Sequence, residues 1–230
     1  MAVALDQAGQ KAVAARRAAQ EVSDGMVVGL GTGSTAALVT AALADRVRQG
    51  LRFIGVPTSE ATARQAREAG IALGTLEGHP VLDLDIDGAD EVDPRGEMIK
   101  GLGGALLREK IVAASARRLL IVVDSSKTVP VLGTQAPVPV EIVRFGWRRT
   151  AKTLEALGAD AVLRGGPKSP FVTDGGGLIL DCRFPPGANL ADLAREIKGT
   201  IGVVEHGLFL GMHPTVMVGQ PDGTVAVIRG

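Results

Sequence analysis

Residues 26–35 read MVVGLGTGST and join an apolar run to a glycine-rich turn that leads into a helical pattern. The apolar run is typical of a buried strand, and Ser34 stands where a helix would begin. Glycine allows the backbone to turn tightly and to approach a ligand closely. This strand–turn–helix order predicts an α/β protein in which the turn lies at the carboxyl end of a strand.

Helix and strand patterns alternate on both sides of this turn as far as residue 131. Helices are predicted over about 7–21, from Ser34 onward, over 61–70 and over 104–118, and strands at 51–57, near Ile71 and Leu82, and at 119–124. Such alternation predicts a doubly wound, mostly parallel, Rossmann-like sheet with helices on both faces. Ligands of these folds bind beyond the carboxyl ends of the strands.

The pattern changes near Leu132, where the run GTQAPVPV contains several breakers. Apart from a short FVTD arm, the next segment predicts strands at 139–143, 161–164, 178–184 and 202–206 and helices at 148–157 and 189–198. This β-α-β-β-α-β order is that of a small α+β, ferredoxin-like domain. Two last strands, at 216–219 and 224–230, are predicted to return to the first sheet. We therefore expect a catalytic α/β domain of residues 1–131 and 208–230 and a small domain of residues 132–207.

The composition of the 230-residue chain excludes several classes of function. The 25 basic residues balance 25 acidic ones, so no basic surface for a phosphate backbone is indicated. Only 3% of residues are aromatic, which leaves few side chains on which bases could stack. No nucleic acid partner is therefore expected. The apolar runs are too short to span a bilayer and the first residues lack signal-peptide order, so no membrane association is expected. Cys182 is the only cysteine, which fits a reducing compartment. The three histidines show no ligand spacing, so no metal site is expected.

Residues 82–93, LDLDIDGADEVD, place six carboxylates in twelve positions. The start of the stretch matches a calcium-binding loop, but the twelfth position of that loop, which needs a bidentate Glu, is Pro94. Apolar residues alternate with the aspartates at period two, which indicates a strand that ends in a carboxylate-bearing turn. Asp87 and Asp90 bracket this turn, where carboxylates can bind sugar hydroxyls and move protons between oxygens. The other four acids are more simply interpreted as solvated or capping groups.

The turn at 29–35, GLGTGST, has the features of a phosphate site. Its glycines and the helix N-terminus expose N–H groups to an anion, and Ser34 and Thr35 add hydroxyl donors. It lacks the third glycine of a dinucleotide fingerprint and the lysine of a Walker loop. The alternative is an ordinary turn with Ser34 as a helix cap. A second turn, PTSEAT at 57–62, is by itself more simply a cap.

The segment 100–113, KGLGGALLREKIVA, predicts a helix from Gly104 that is apolar on nearly all sides and therefore buried. Glu109 would lie among apolar residues, and burial raises the pKa of a carboxyl toward the range of a general base. A structural ion pair of Glu109 with a neighbouring Arg or Lys is an equally open alternative. Lys100 and Lys127 are further candidates, although an exposed surface position is the default for any lysine.

Seven stretches taken in order resemble ribose-5-phosphate isomerases of the type A family over nearly the whole chain. They are GTGST, DIDGADEVD, KGLGGALLREKI, VVDSSK, PVPVEI, FVTDGGGLILD and GVVEHGLF. The resemblance implies interconversion of ribose 5-phosphate and ribulose 5-phosphate in the pentose phosphate pathway. It also implies a cytoplasmic homodimer or homotetramer that needs neither a metal nor an organic cofactor.

The resemblance assigns roles to individual residues. Glu109 matches the base that moves a proton from C2 to C1 through a cis-enediolate, Asp87 a residue linked to ring opening, and Lys100 a substrate-positioning lysine that would stabilise the oxyanion. The implied substrate-binding residues are Gly31, Thr32, Gly33, Ser34, Thr35, Asp87, Gly88, Ala89, Asp90, Lys100, Gly101, Gly103, Gly104 and Lys127.

One position departs from the family pattern, because members often place a phosphate-contacting lysine in the first helix. That position aligns with Gln10, and Lys11 is next to it. One residue turns a helical side chain by about 100°, so the choice between them stays open. Two other classes also stay open: a related sugar-phosphate enzyme, such as an amino-sugar phosphate deaminase or a coenzyme A transferase, and a non-catalytic sugar-phosphate sensor.

Overall fold

The computed structural model describes residues 4–185 and 187–230. Its strands are β1 (Val27–Leu30), β2 (Ile54–Pro57), β3 (Ala72–Leu73), β4 (Leu84–Asp87), β5 (Glu91–Val92), β6 (Met98–Ile99), β7 (Leu119–Asp124), β8 (Val138–Ile142), β9 (Asp160–Leu163), β10 (Leu178–Arg183), β11 (Val203–His206), β12 (Leu208–Phe209), β13 (Thr215–Gly219) and β14 (Val225–Arg229). Its helices are α1 (Gln7–Ala19), α2 (Ser34–Arg48), α3 (Glu60–Glu68), α4 (Leu106–Ser115), α5 (Trp147–Ala156) and α6 (Leu190–Gly199).

Seven strands form the central sheet, in the order β14-β13-β7-β4-β1-β2-β3. Every neighbouring pair is parallel except β13–β14. This arrangement confirms the predicted mostly parallel sheet and the return of the last two strands to it. Because parallel strands share a direction, the turns after β1, β4 and β7 meet at one edge of the sheet.

Alternation along β4 separates the apolar core from the polar side chains. Leu84 and Ile86 are buried in the core cluster that includes small residues of α1 and apolar residues of α2. Asp85 and Asp87 point to the other face, because successive strand residues alternate. A Cβ added at Gly29 would meet both the Asp85 carboxylate and Val112 of α4, so this second face lies beneath α4.

The second sheet has the order β11-β8-β10-β9 and is antiparallel throughout. With α5 and α6 it forms the predicted β-α-β-β-α-β unit, and it has its own apolar core. The FVTD arm contributes a single bridge, between Val172 and Leu178. The domain boundaries at 131/132 and 207/208 stay predictions, and residues 1–3 and 186 of those ranges lie outside the described residues.

Two local features differ from the sequence expectation. A third sheet, β12-β6-β5, consists of strands of two residues each, which are too short to produce a periodic pattern. The helix expected over 104–118 is shorter and spans only α4. Gly101 and Gly104 have φ of 106° and 84°, which keeps the preceding segment a loop. Among the described helices, none combines the length and the apolar character that a membrane crossing requires.

Candidate active site

A cavity opens at the edge of the central sheet where β1 and β4 end. Its walls are formed by Lys11, Thr32, Gly33, Ser34, Thr35, Gly88, Ala89, Asp90, Lys100, Gly101, Gly103, Glu109 and Lys127. All of these except Lys11 belong to the set predicted from the sequence. The three stretches that the sequence singled out, 29–35, 82–93 and 100–113, thus meet around one space.

Three predicted residues lie behind the wall. Asp87 is 1% exposed and sits under the cavity. A Cβ at Gly31 would collide with the Asp87 carboxylate, so Gly31 allows this carboxylate to come close to β1. Gly104 packs against the ring of Phe171, where a Cβ would also collide. Gly31 and Gly104 therefore shape the walls without forming them.

A buried charged cluster forms the floor at one end of the cavity. The ammonium of Lys100 lies 2.9 Å from Oδ2 of Asp87 and 3.8 Å from Oε2 of Glu109, and it also donates to the carbonyl of Gly88. The other oxygen of Asp87 accepts the N–H groups of Thr32, at 3.1 Å, and of Gly88, at 2.7 Å. Asp87 is thereby oriented by the turns after both β1 and β4.

Burial governs the protonation of this cluster. Burial raises the pKa of Glu109 to about 8, although the charge of Lys100 opposes the rise. Burial alone would lower the pKa of Lys100, but the charges of Asp87 and Glu109 outweigh it and raise this pKa above its usual value. These surroundings favour the charged form of Lys100 and the protonated form of Glu109.

Glu109 is not neutralised by a close ion pair. Lys100 is almost one ångström nearer to Asp87 than to Glu109. Among the described residues, Oε2 of Glu109 has no hydrogen-bond partner. Of the two alternatives that the sequence left open, this geometry favours a proton acceptor over a structural ion pair.

The opposite end of the cavity suits an anion. Helix α2 begins at Ser34, after Gly33 with φ of 105°, and no side chain caps its first N–H groups. Ser34 is therefore the first helical residue and not the cap that the alternative interpretation required. Lys11 lies 3.4 Å from the Ser34 hydroxyl, and Lys127 lines the same wall. Two ammonium groups and a helix N-terminus thus face one space.

The structure distinguishes Gln10 from Lys11. Gln10 is buried; its side chain donates to the carbonyl of Leu5 and accepts from the N–H and hydroxyl of Ser125. Lys11 reaches the cavity instead. The sequence contained the signal, because Gln10 lies four and eight residues before Ala14 and Ala18 and so shares their buried stripe on α1.

The second threonine-rich turn supports the first. The Thr32 hydroxyl lies 2.7 Å from that of Thr58 and 2.9 Å from that of Ser59. Ser59 also caps α3, as the sequence indicated, by accepting the N–H of Thr62. Thr32 thus presents its backbone N–H to Asp87 while its hydroxyl is held by α3.

The remaining acids of the stretch 82–93 are mostly capping groups, as expected. Glu91 accepts the N–H groups of Gly133 and Ala136, each at 2.6 Å, and Asp93 closes a turn through the N–H groups of Arg95 and Glu97. For Asp85 the expectation of a solvated or capping group is wrong. It is fully buried, and neither carboxyl oxygen has a partner among the described residues.

Comparisons with known proteins agree with this arrangement. The sequence model of the family Ribose 5-phosphate isomerase A (phosphoriboisomerase A) matches residues 54–223. Ribose-5-phosphate isomerase A of Synechococcus sp. (strain JA-3-3Ab) is 59% identical over 216 residues, which cover 93% of this chain and 94% of the relative. Ribose 5-phosphate isomerase A from Methanocaldococcus jannaschii superposes with a TM-score of 0.90 at 38% identity, covering 96% of this chain and 98% of that one. A D-ribose-5-phosphate isomerase in complex with phospho-erythronic acid gives a TM-score of 0.94 at 35% identity, covering 98% and 100%.

Proposed function

The chain belongs to the ribose-5-phosphate isomerase A family and is an isomerase that interconverts D-ribose 5-phosphate and D-ribulose 5-phosphate, and we propose that it does so through a cis-enediolate with Glu109 as the base. The observation that carries this proposal is the buried Oε2 of Glu109 at the cavity wall, which accepts no hydrogen bond from the described residues. Family membership removes the deaminase, transferase and sensor alternatives. The pentose phosphate pathway follows from the family as the proposed setting.

We assign phosphate binding to one end of the cavity and proton transfer to the other. The N-terminus of α2, with Lys11 and Lys127, would bind the phosphate group. The C1–C2 end would then lie by Glu109 and Lys100. Phospho-erythronic acid, bound by a relative, carries a phosphate and a carboxylate on a sugar chain. That charge pattern resembles an enediolate phosphate, which supports this orientation.

Isomerisation needs an open-chain sugar before C2 can lose its proton. We assign ring opening to Asp87, which reaches the cavity only through Lys100 at 2.9 Å. Lys100, held by Asp87, would keep its own proton and donate a hydrogen bond to the ring oxygen as the proton of the anomeric hydroxyl passes to that oxygen. Glu109 then takes the proton from C2 and returns it to C1, while Lys100 stabilises the oxyanion. A positioned donor of this kind contributes about 10²- to 10³-fold to the rate.

The replacement Glu109→Gln tests the base directly, because Gln is nearly isosteric and cannot accept the proton. We expect kcat to fall by about 10²- to 10⁴-fold, with KM changed far less. Exchange of the C2 hydrogen of ribose 5-phosphate with solvent deuterium should fall by the same factor. Glu155→Gln, on an exposed turn of α5, is the matched control. Exchange at the wild-type rate in Glu109→Gln would place the base elsewhere, with Asp87 and Asp90 as the first candidates.

We further propose that the enzyme is a cytoplasmic homodimer or homotetramer. Phe145 and Ile201 are apolar side chains that are each 94% exposed. Their burial between subunits would remove apolar surface from water and so would favour association. Cys182 is a free, buried thiol, which fits a reducing compartment. Light scattering of the purified protein should give two or four times the chain mass of 23.6 kDa. A monomer at micromolar concentration would contradict the proposal.

A further inference from the structure

One arginine next to the small sheet donates hydrogen bonds to the loop of residues 100–105. Arg164, which directly follows β9, donates through Nη1 to the carbonyls of Gly101, at 3.1 Å, and Leu102, at 3.0 Å. Its Nε and Nη2 donate to the two carboxylate oxygens of Asp181 on β10, at 3.0 Å and 2.5 Å. The carboxylate therefore fixes the plane of the guanidinium and directs its remaining edge at the loop.

Within the loop, one backbone hydrogen bond closes a turn, from the N–H of Gly104 to the carbonyl of Gly101, at 3.0 Å. Gly101 and Gly104 adopt left-handed backbone conformations, which glycine enters and leaves at low cost. Besides Arg164, the loop is fixed by Asp90, which accepts the N–H of Leu102 at 2.9 Å, and by the ring of Phe171 packed on Gly104. The guanidinium of Arg164 lies 5.7 Å from the centre of that ring. Arg164 thus contacts two carbonyls of the loop and also lies near the ring that packs on Gly104.

The loop connects the groups that would act at C1 and C2. Lys100 is its first residue, Gly101 and Gly103 form part of the cavity wall, and the N–H of Glu109 donates to the carbonyl of Ala105, where the loop ends. A shift of about 1 Å in such groups can reduce a rate by about 10²-fold. The position of the loop therefore matters more for the chemical step than for capture of the phosphate.

We propose that Arg164 is a positioning residue of the isomerase, which acts through the carbonyls of Gly101 and Leu102 to hold Lys100 and the glycine loop against the C1–C2 end of the substrate. This proposal rests on the proposed function. It assigns to the small sheet a part in the reaction, because Arg164 directly follows β9 of that sheet and Asp181 lies on its strand β10. An arginine is required, since a lysine ammonium cannot hold a carboxylate with two N–H groups and present a third to two carbonyls in one plane.

The variants Arg164→Ala and Arg164→Lys separate positioning from substrate capture. For Arg164→Ala we expect kcat to fall by about 10- to 100-fold with KM nearly unchanged, because the groups assigned to phosphate binding, the N-terminus of α2 with Lys11 and Lys127, lie outside the loop. For Arg164→Lys the fall in kcat should be smaller than for Arg164→Ala. Arg183→Ala is the matched control: Arg183 lies on the same sheet and donates to one backbone carbonyl, that of Gln135, away from the cavity. It should keep the wild-type kcat.

Rescue distinguishes positioning from a general loss of structure. Guanidinium ion at millimolar concentration should restore part of kcat in Arg164→Ala and should leave Glu109→Gln inactive. Asp181→Asn keeps the arginine and loses the ion pair, so an intermediate kcat is expected even if Arg164→Ala does not fold. A wild-type kcat in both Arg164→Lys and Asp181→Asn, or a fall in Arg164→Ala that guanidinium does not reverse, would overturn the proposal. Turnover by the wild type and its loss in Glu109→Gln test the proposed function separately.

Discussion

At the scale of single residues, Glu109 and Asp85 are two buried carboxyls with similar titration and different surroundings. Burial raises the pKa of each to about 8. Glu109 borders the cavity, whereas Asp85 lies behind it, next to Gly29 and Val112. The sequence predicted the buried setting of Glu109 because its helix is apolar around its circumference. It did not predict that of Asp85, because a strand residue that alternates with leucines gives no sign that a helix covers its face.

The raised pKa of Glu109 predicts the pH dependence of the reaction. The base must be deprotonated, so kcat/KM should rise with pH and level off above an apparent pKa near 8, far above the usual value for Glu. Because the charges of Lys100, Asp87 and Asp90 also act on the Glu109 carboxyl, this apparent pKa belongs to the interacting groups and not to Glu109 alone. A pH profile of kcat/KM for ribose 5-phosphate checks it, and Glu109→Gln should lack this limb. A limb centred near 4.5 in the wild type would contradict the buried base.

Asp85 predicts a pH-dependent stability. Its folded pKa is raised above its unfolded value, so its contribution to stability is present at acid pH and is lost as the pH rises through about 8. Asn cannot ionise, so the variant Asp85→Asn does not lose this contribution to stability as the pH rises. The Tm of the variant relative to the wild type should therefore increase between about pH 5 and about pH 9, as thermal unfolding at both values would measure. The control Asp45→Asn changes an exposed acid, and an equal Tm difference at both pH values for Asp85→Asn would show that Asp85 does not titrate in this range.

At the scale of elements, the N-terminus of α2 and the glycine loop before α4 both border the cavity. Helix α2 contributes N–H groups and hydroxyls, and α1 adds Lys11 from the side. Helix α4 contributes Glu109 from its first turn. Phosphate binding and proton transfer are thus assigned to different helices, and variants of the two ends should affect different kinetic constants.

Variants of the phosphate end should mainly raise KM. Contacts made equally in the ground state and the transition state change KM and leave kcat nearly unchanged. We expect Ser34→Ala combined with Thr35→Ala, and Lys11→Gln by itself, each to raise KM for ribose 5-phosphate by about tenfold or more, since a hydrogen bond to a charged group contributes about 1.5–3 kcal/mol. Lys11 also lies 3.6 Å from the buried Asp124, so Tm must be compared as well. Lys152→Gln, at an exposed position of α5, is the control. An unchanged KM in both test variants would exclude this end as the phosphate site.

At the scale of the whole molecule, the sequence predicted the parts whose signals are local and missed those that depend on distant contacts. The long strands and the helices follow from apolar periodicity, and the cavity residues follow from motifs at strand ends, which a parallel sheet brings to one edge. The strands β5, β6 and β12 have two residues each, so no period exists to detect. Arg164 was missed for a similar reason, since its target carbonyls lie 62 or more residues away, in the loop before α4.

The same architecture predicts that the reaction does not depend on a metal ion. The charge that develops on the enediolate needs a fixed cation, and in the proposed mechanism Lys100 would supply it, because the carboxylates around Lys100 raise its pKa. Over residues 4–185 and 187–230, no group of three or more His, Cys, Asp or Glu side chains is placed to hold a metal ion. Activity should therefore survive exhaustive chelation, measured as ketose formation from ribose 5-phosphate with and without added divalent ions. If chelation abolished turnover and a single divalent ion restored it, the oxyanion would be neutralised by a metal, and the role assigned to Lys100 would have to be withdrawn.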